Sequence, residues 1–250
     1  MMIDRGSFLS LVADRVFKGQ ILTVKNNKKV EYYNVSASFD IETSSFYDGE
    51  KLPQNKRAIM YIWQFGIGDL VTYGRTWKEF KVFLDILSAV LELTSERRLL
   101  VFVNNLPYEW QFMRKHFQWD KVFLLEDRKP VSARMGGIEF RCSLKLSGGK
   151  SLANVGRDLV YHKINKKTGD LDYNKIRTPL TPLTDLELGY CEYDIRVLNA
   201  YIDEKIQMDG DVTRIPLTNT GYVRDYCRKA CFRAAEEISR VNGDFDYGRE

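Results

Sequence analysis

The chain has 250 residues, 44% of them hydrophobic and 29% charged, which is enough apolar material for a core and excludes a disordered, collagenous or low-complexity protein. Thirty-eight Lys and Arg against 34 Asp and Glu leave a net charge of +4, too mild for a non-specific nucleic-acid coat and compatible with a local basic groove. Four cysteines without a leader-like start imply reduced thiols in a cytoplasmic protein, and with only His116 and His162 there is little room for His-based zinc or triad chemistry.

Residues 1–33 read as a short amphipathic helix (Phe8, Leu9, Leu11, Val12, Val16, Phe17) followed by an exposed Lys/Asn-rich connector from Lys25 to Lys29. Val35–Ile41 is β-prone and ends in Asp40-Ile41-Glu42; Thr43–Arg57, with its Ser, Gly, Pro and Asn, reads as a loop. Ala58–Ile67 is expected to be a buried strand with Leu70–Tyr73 as its hairpin partner. A helix follows over Thr76–Leu93, with Thr76 as N-cap and Phe80, Phe83, Leu84, Leu87, Val90 and Leu91 at helical spacing. Its apolar stretch from Phe83 to Leu93 is broken by Asp85 and Glu92, and nothing else approaches a membrane span.

Leu99–Val103 is apolar at every position, as a central strand covered on both faces should be. Pro107 suits the first turn of a helix reaching Phe117. Val131–Arg134 and Ile138–Cys142 flank Met135-Gly136-Gly137 as a hairpin. A short helix over Lys150–Asp158, an ordered loop over Lys163–Thr184, a long helix over Asp185–Met208 and a last helix over Asn219–Val241 complete the chain. The order of elements gives an α/β domain with one core.

Asp40 and Glu42 stand at i and i+2 of a strand and so project to one side. An isolated Asp-x-Glu is most often two solvated surface acids. Here, however, Asn105-Leu106-Pro107-Tyr108-Glu109 places a third carboxylate in the first turn after the central strand, and Tyr190 and Asp194 share a face of the long helix. Asp40, Glu42, Glu109 and Asp194, converging from three elements, could hold two Mg²⁺ or Mn²⁺ ions, hard cations that prefer carboxylate oxygen and catalyse phosphodiester hydrolysis in pairs. Tyr190 could orient the water, and no histidine is needed.

The three segments, Asp-x-Glu, Asn-x-x-Tyr-Glu and Tyr-x-x-x-Asp, resemble the three motifs of proofreading 3′–5′ exonuclease domains, in particular those of bacteriophage protein-primed family B DNA polymerases. Ser143-Leu144 and the Gly169-Asp170-Leu171-Asp172-Tyr173 run, with Lys175 and Arg177-Thr178-Pro179 after it, extend the likeness to roughly residues 35–225. The resemblance implies a ribonuclease-H-like fold with a mixed central sheet flanked by helices, Asp40, Glu42 and Asp194 as metal ligands, and Tyr190 as the water-orienting residue. It further implies that Thr43, Asn105, Tyr108, Phe112, Ser143, Leu144 and Tyr173 hold the 3′ end of single-stranded DNA, by base stacking and by amide and hydroxyl contacts. On this reading residues 34–212 form the exonuclease domain, 1–33 an N-terminal helix and connector, and 213–250 a helical connector toward a polymerase module in the same or a separate chain. A phage-encoded protein of this kind works in the host cytoplasm.

Two positions depart from the family pattern. The second-motif acid is Glu109 where the family has Asp, and Thr168 stands where the family has a catalytic Lys, with Lys167 the nearest substitute. A non-catalytic single-strand-binding or partner-docking module is therefore the alternative, and a ribonuclease on the same fold a third possibility. No polymerase motif occurs in the chain. Gly149-Lys150-Ser151 is not a phosphate loop, since Leu144 occupies the required earlier Gly position, and Cys227 and Cys231 read as buried thiols rather than zinc ligands. Arg224, Arg228, Lys229 and Arg233 recur at helical spacing, either as an exposed face or as a phosphate-tracking stripe.

Overall fold

A computed structural model of the protein describes residues 1–164, 172 and 174–242. Helix α1 (Arg5–Phe17) is started by Asp4, whose carboxylate accepts the Ser7 N–H. Two short strands follow, β1 (Thr23–Lys25) and β2 (Glu31–Tyr33), paired antiparallel. The Lys/Asn-rich stretch is largely exposed, as expected, and forms the turn of this small hairpin. Strands β3 (Ala37–Tyr47), β4 (Lys56–Ile67) and β5 (Leu70–Gly74) form an antiparallel meander. The expected loop over Thr43–Arg57 is a second correction: cross-strand pairing from Thr43 with Met60 to Tyr47 with Lys56 carries both strands well into it.

Helix α2 (Trp77–Val90) begins in a capping box in which Thr76 and Glu79 satisfy each other's backbone N–H groups. Strand β6 (Arg97–Val103) leads into α3 (Leu106–Met113), which ends short of the expected Phe117. An edge strand β7 (Lys121–Glu126), not expected from the sequence, pairs with β8 (Lys129–Met135), which forms the anticipated hairpin with β9 (Ile138–Cys142). Helices α4 (Ser143–Leu146), α5 (Leu152–Asp158), α6 (Asp185–Asp209) and α7 (Asn219–Asn242) complete the described chain.

The sheet runs in the order β5-β4-β3-β6-β9-β8-β7, with β3, β6 and β9 parallel and the outer strands antiparallel. β2 also pairs parallel to β6, at Glu31–Arg97 and Tyr32–Arg98, so β2 and β3 lie along one edge of β6 with a break between them. Alternate residues of β6 serve different faces. Leu99, Val101 and Val103 pack with Phe8 and Val12 of α1 and Phe80, Phe83 and Leu87 of α2, whereas Leu100 and Phe102 meet Leu198 and Ile202 of α6. The first face is strongly aromatic, with Phe39 stacked on Phe80 at a centroid distance of 4.6 Å and Trp63 beside Phe80 and Phe83. Each such fully buried ring contributes about 1.5–3 kcal/mol.

Among the described residues, no helix is long and apolar enough to cross a membrane. All four cysteines are free, but Cys227 and Cys231 are exposed, contrary to expectation, because α7 presents that face to solvent.

Candidate metal centre

The site begins with strand alternation. Phe39 and Ile41 of β3 point into the aromatic core, so Ser38, Asp40 and Glu42 face α6. Helix α6 comes down close on this face because the residues beneath it are small. The Ser38 hydroxyl donates to the Ile195 carbonyl at 3.4 Å, and Gly66, the cross-strand partner of Ser38, leaves room for Ile195 and Asn199. Asn199 in turn donates to the Gly68 carbonyl at 2.8 Å, anchoring the helix to the β4–β5 turn. This approach brings Asp194 to the strand acids: one oxygen each of Asp40, Glu42 and Asp194 lies within 4.8 Å of the others.

Glu109 joins from the opposite side. It occupies the first turn of α3, is only 3% exposed, and its carboxyl lies near enough to that of Asp40 for the two to interact electrostatically. Its Oε2 is buried without a hydrogen-bond partner among the described residues. Burial, reinforced by Glu109, Glu42 and Asp194, pushes the Asp40 carboxyl well above the ordinary range. Burial and Asp194 push Glu42 up to about 8, against a downward pull from Arg177. Glu109 is likewise pushed up to about 8, chiefly by burial. Four acids in one enclosed space, one with an orphaned oxygen, are a poor arrangement by themselves and fit a divalent cation well.

Gln64 escaped the sequence reading, and Arg177 entered it only as part of the likeness, without its burial or ion pair. Gln64, the register partner of Asp40 on β4, is fully buried, and neither of its amide atoms has a hydrogen-bond partner among the described residues. A lone Gln within the apolar run Ala58–Ile67 was the available signal. Arg177, 3% exposed, is the buried cation of the neighbourhood. Its guanidinium meets Glu187 at 2.6 Å and lies 5.7 Å from the centre of the Tyr61 ring, and its backbone N–H donates to the Ser44 hydroxyl at 2.9 Å, two residues beyond Glu42. Glu187 also caps α6, and the Thr184 N–H together with Arg177 holds its carboxyl down at about 2. The pair thus ties the start of α6 to β3. Only tertiary structure could reveal it, since nothing local to either residue says which charged side chain another element will cover.

Among the described residues, those expected to hold a strand lie at or just after the carboxyl ends of the parallel strands, where open α/β sheets usually bind ligands. Thr43 and Tyr108 are joined through their hydroxyls, and Tyr108, 43% exposed, has its ring 5.2 Å from that of Phe112. Phe112 also packs on the core, so of these two rings Tyr108 is the more open. Asn105 follows β6 and caps the start of α3 without a side-chain bond, while Ser143 and Leu144 follow β9, the Leu144 N–H donating to the Asn104 carbonyl at 2.9 Å. Ser143 is buried, and Leu144 packs against the core edge. Tyr190 lies one turn before Asp194 on α6, half-buried. Lys167 and Tyr173 fall outside the described residues.

This architecture is a mixed α/β domain of the RNase H-like kind, and solved structures share it. Phi29 DNA polymerase in an orthorhombic crystal form superposes with a TM-score of 0.53 at 14% identity, over 74% of this chain and 32% of that one. The same polymerase complexed with single-stranded DNA gives 0.52 at 15% identity over 71% of this chain, and complexed with primer-template DNA 0.50 at 15% over 71%. This chain spans about a third of that polymerase's length. No protein-family model and no curated protein matches the sequence.

Proposed function

We propose that this chain is a divalent-metal-dependent 3′–5′ exonuclease acting on single-stranded DNA ends, the proofreading domain of a family B DNA polymerase. The convergence of Asp40, Glu42 and Asp194, with Glu109 behind them, is the observation that carries this reading. The four acids would hold two Mg²⁺ or Mn²⁺ ions, with Glu109 acting through or beside Asp40. When bound, such ions supply Lewis-acid activation of water and neutralise charge on the leaving oxygen. The Tyr190 hydroxyl orients the attacking water. Asn105, Tyr108, Thr43, Ser143 and Leu144 hold the terminal nucleotides so that the last phosphodiester faces the acids. Water oxygen bonds to phosphorus, the bond from phosphorus to the 3′ oxygen breaks, and that oxygen takes up a proton as a nucleoside 5′-monophosphate departs.

The likeness to a polymerase solved with single-stranded DNA supports the choice of substrate. The deciding experiment uses a 5′-labelled single-stranded oligonucleotide with Mg²⁺ or Mn²⁺. The proposal expects a ladder shortening from the 3′ end, abolished by Asp40→Ala in a protein that retains its fold. Tight binding without cleavage would assign the chain instead to a strand-binding module, the reading that Glu109 and Thr168 favour.

A further inference from the structure

A second charged feature lies at the other end of the sheet. A groove of about 1270 Å³ runs between the β1–β2 turn, the β7–β8 edge and helix α7, lined by nine Lys or Arg and three Asp. Arg98 and Lys121 mark its position. Arg98 stands near the amino end of β6, and Lys121 pairs in register with Arg134, next to the start of β9. Asp40 lies just beyond Val103 at the opposite end, five residues along β6 or about 17 Å away at the usual strand rise.

Six of the nine cations are held by carboxylates, among them Arg214 by Asp211 and both Arg228 and Lys229 by Asp225. The other three, Lys28, Lys121 and Arg224, are exposed and have no ion-pair partner among the described residues. They come from three segments distant in sequence, so the fold gathers them along one channel. Two asparagines beside Lys28 add amide donors, while Val30, Met208, Pro216 and the rings of Tyr32 and Tyr222 supply apolar stretches of the wall. A ligand that suits this lining carries repeated negative charge, and the two tyrosines set ring faces beside the cations.

We propose that this groove is a second DNA-binding site, which follows the phosphate backbone of a strand away from the acidic cluster. The choice of DNA over another polyanion rests on the proposed nuclease function; the groove itself does not. Lys28, Lys121 and Arg224 make the phosphate contacts, and the paired arginines shape the wall.

The test measures binding alone. Fluorescence anisotropy of a labelled single strand of about 20 nucleotides is followed across a NaCl series in EDTA, where no metal-dependent cleavage occurs. Loss of three contacts in the Lys28→Glu/Lys121→Glu/Arg224→Glu variant should weaken binding at least roughly tenfold and flatten the log–log salt slope by about 2. The neutral Lys28→Gln/Lys121→Gln/Arg224→Gln variant should shift affinity the same way by less. A charge-matched control, Lys18→Glu/Lys78→Glu/Lys81→Glu beside α1 and on α2, should stay within about twofold of the unmodified protein. Equal losses in the groove variant and the control, or no loss in the groove variant, would overturn the proposal. So would displacement of the DNA by polyglutamate at equal charge, which would reassign the groove to acidic peptides. Because cleavage is not read, an inactive protein that still loses binding in the groove variant would contradict the nuclease reading and leave this site standing.

Discussion

Ile195 lies directly over Gly66, so close that a β-carbon added at Gly66 would stand 2.4 Å from its Cγ2 and 2.8 Å from the Asn199 amide nitrogen. The absence of one methyl group is therefore what lets α6 carry Asp194 down to Asp40 and Glu42. Gly66→Ala should cost about 1–3 kcal/mol of stability by overpacking. It should also weaken Mn²⁺ binding, because lifting α6 separates Asp194 from the strand acids. Urea denaturation and calorimetric titration with Mn²⁺ read the two effects separately; unchanged metal affinity would detach the helix approach from the site.

Crowded acids set a pH dependence whose sign is opposite to that of an ordinary salt bridge. Glu42 and Glu109 are raised from 4.5 to about 8 in the folded protein, so between those values the folded state binds more protons than the unfolded one. In EDTA, stability from this source is fully present below about pH 4.5 and falls as pH rises to about 8. Glu187 acts the other way: held down at about 2, its contribution is present above 4.5 and is lost as pH falls. Thermal melting in EDTA should thus be highest near pH 5 and lower at pH 8, and Mn²⁺ should restore stability at pH 8 but not at pH 5. A melting temperature that climbs steadily from pH 5 to 8 without metal would contradict the crowding.

Glu109→Gln removes one of the four charges while preserving shape. The metal-free protein should become more stable at pH 8, because Asp40 no longer faces a second carboxylate, and cleavage should fall sharply. Gains in stability and losses in activity from one substitution distinguish a functional acid from a structural one. If both properties fell together, Glu109 would be a packing residue.

The Arg177–Glu187 pair makes a prediction about folding. Arg177→Leu leaves Glu187, 8% exposed, without its buried cation and with only the half-exposed Lys175 ammonium at 3.7 Å, and should cost about 3–5 kcal/mol. The double variant Arg177→Leu/Glu187→Gln should recover a good part of that loss in urea denaturation. Failure of the second change to recover stability would place the cost in Arg177's bonds to the Asp172 and Lys175 carbonyls instead.

How much of this was legible in the sequence depends on the range of the interaction. The Asp40–Glu42 pair and the Tyr190–Asp194 spacing follow from strand and helix periods, and the apolar run Leu99–Val103 announced a strand covered on both faces. The extension of β3 to Tyr47 was hidden because Ser44 and Ser45 look like loop chemistry, while pairing with β4 decides the matter. β1 and β2 are three residues each and exist through their partners, and Lys121–Glu126 is an exposed edge without alternation. Buried Gln64 and Arg177 could not be read, since nothing local says which polar side chain another element will cover. Helical spacing likewise suggested burial for Cys227 and Cys231, but a period alone does not supply the surface that would cover them.

The most direct test of the central claim is an anomalous difference map from crystals soaked in Mn²⁺. The four-carboxylate site predicts strong manganese density between Asp40, Glu42 and Asp194, with Glu109 at or next to the coordination shell and a second peak roughly 3.5–4 Å from the first. A map with manganese only elsewhere on the surface, or with Asp194 turned away from Asp40 and Glu42, would contradict it.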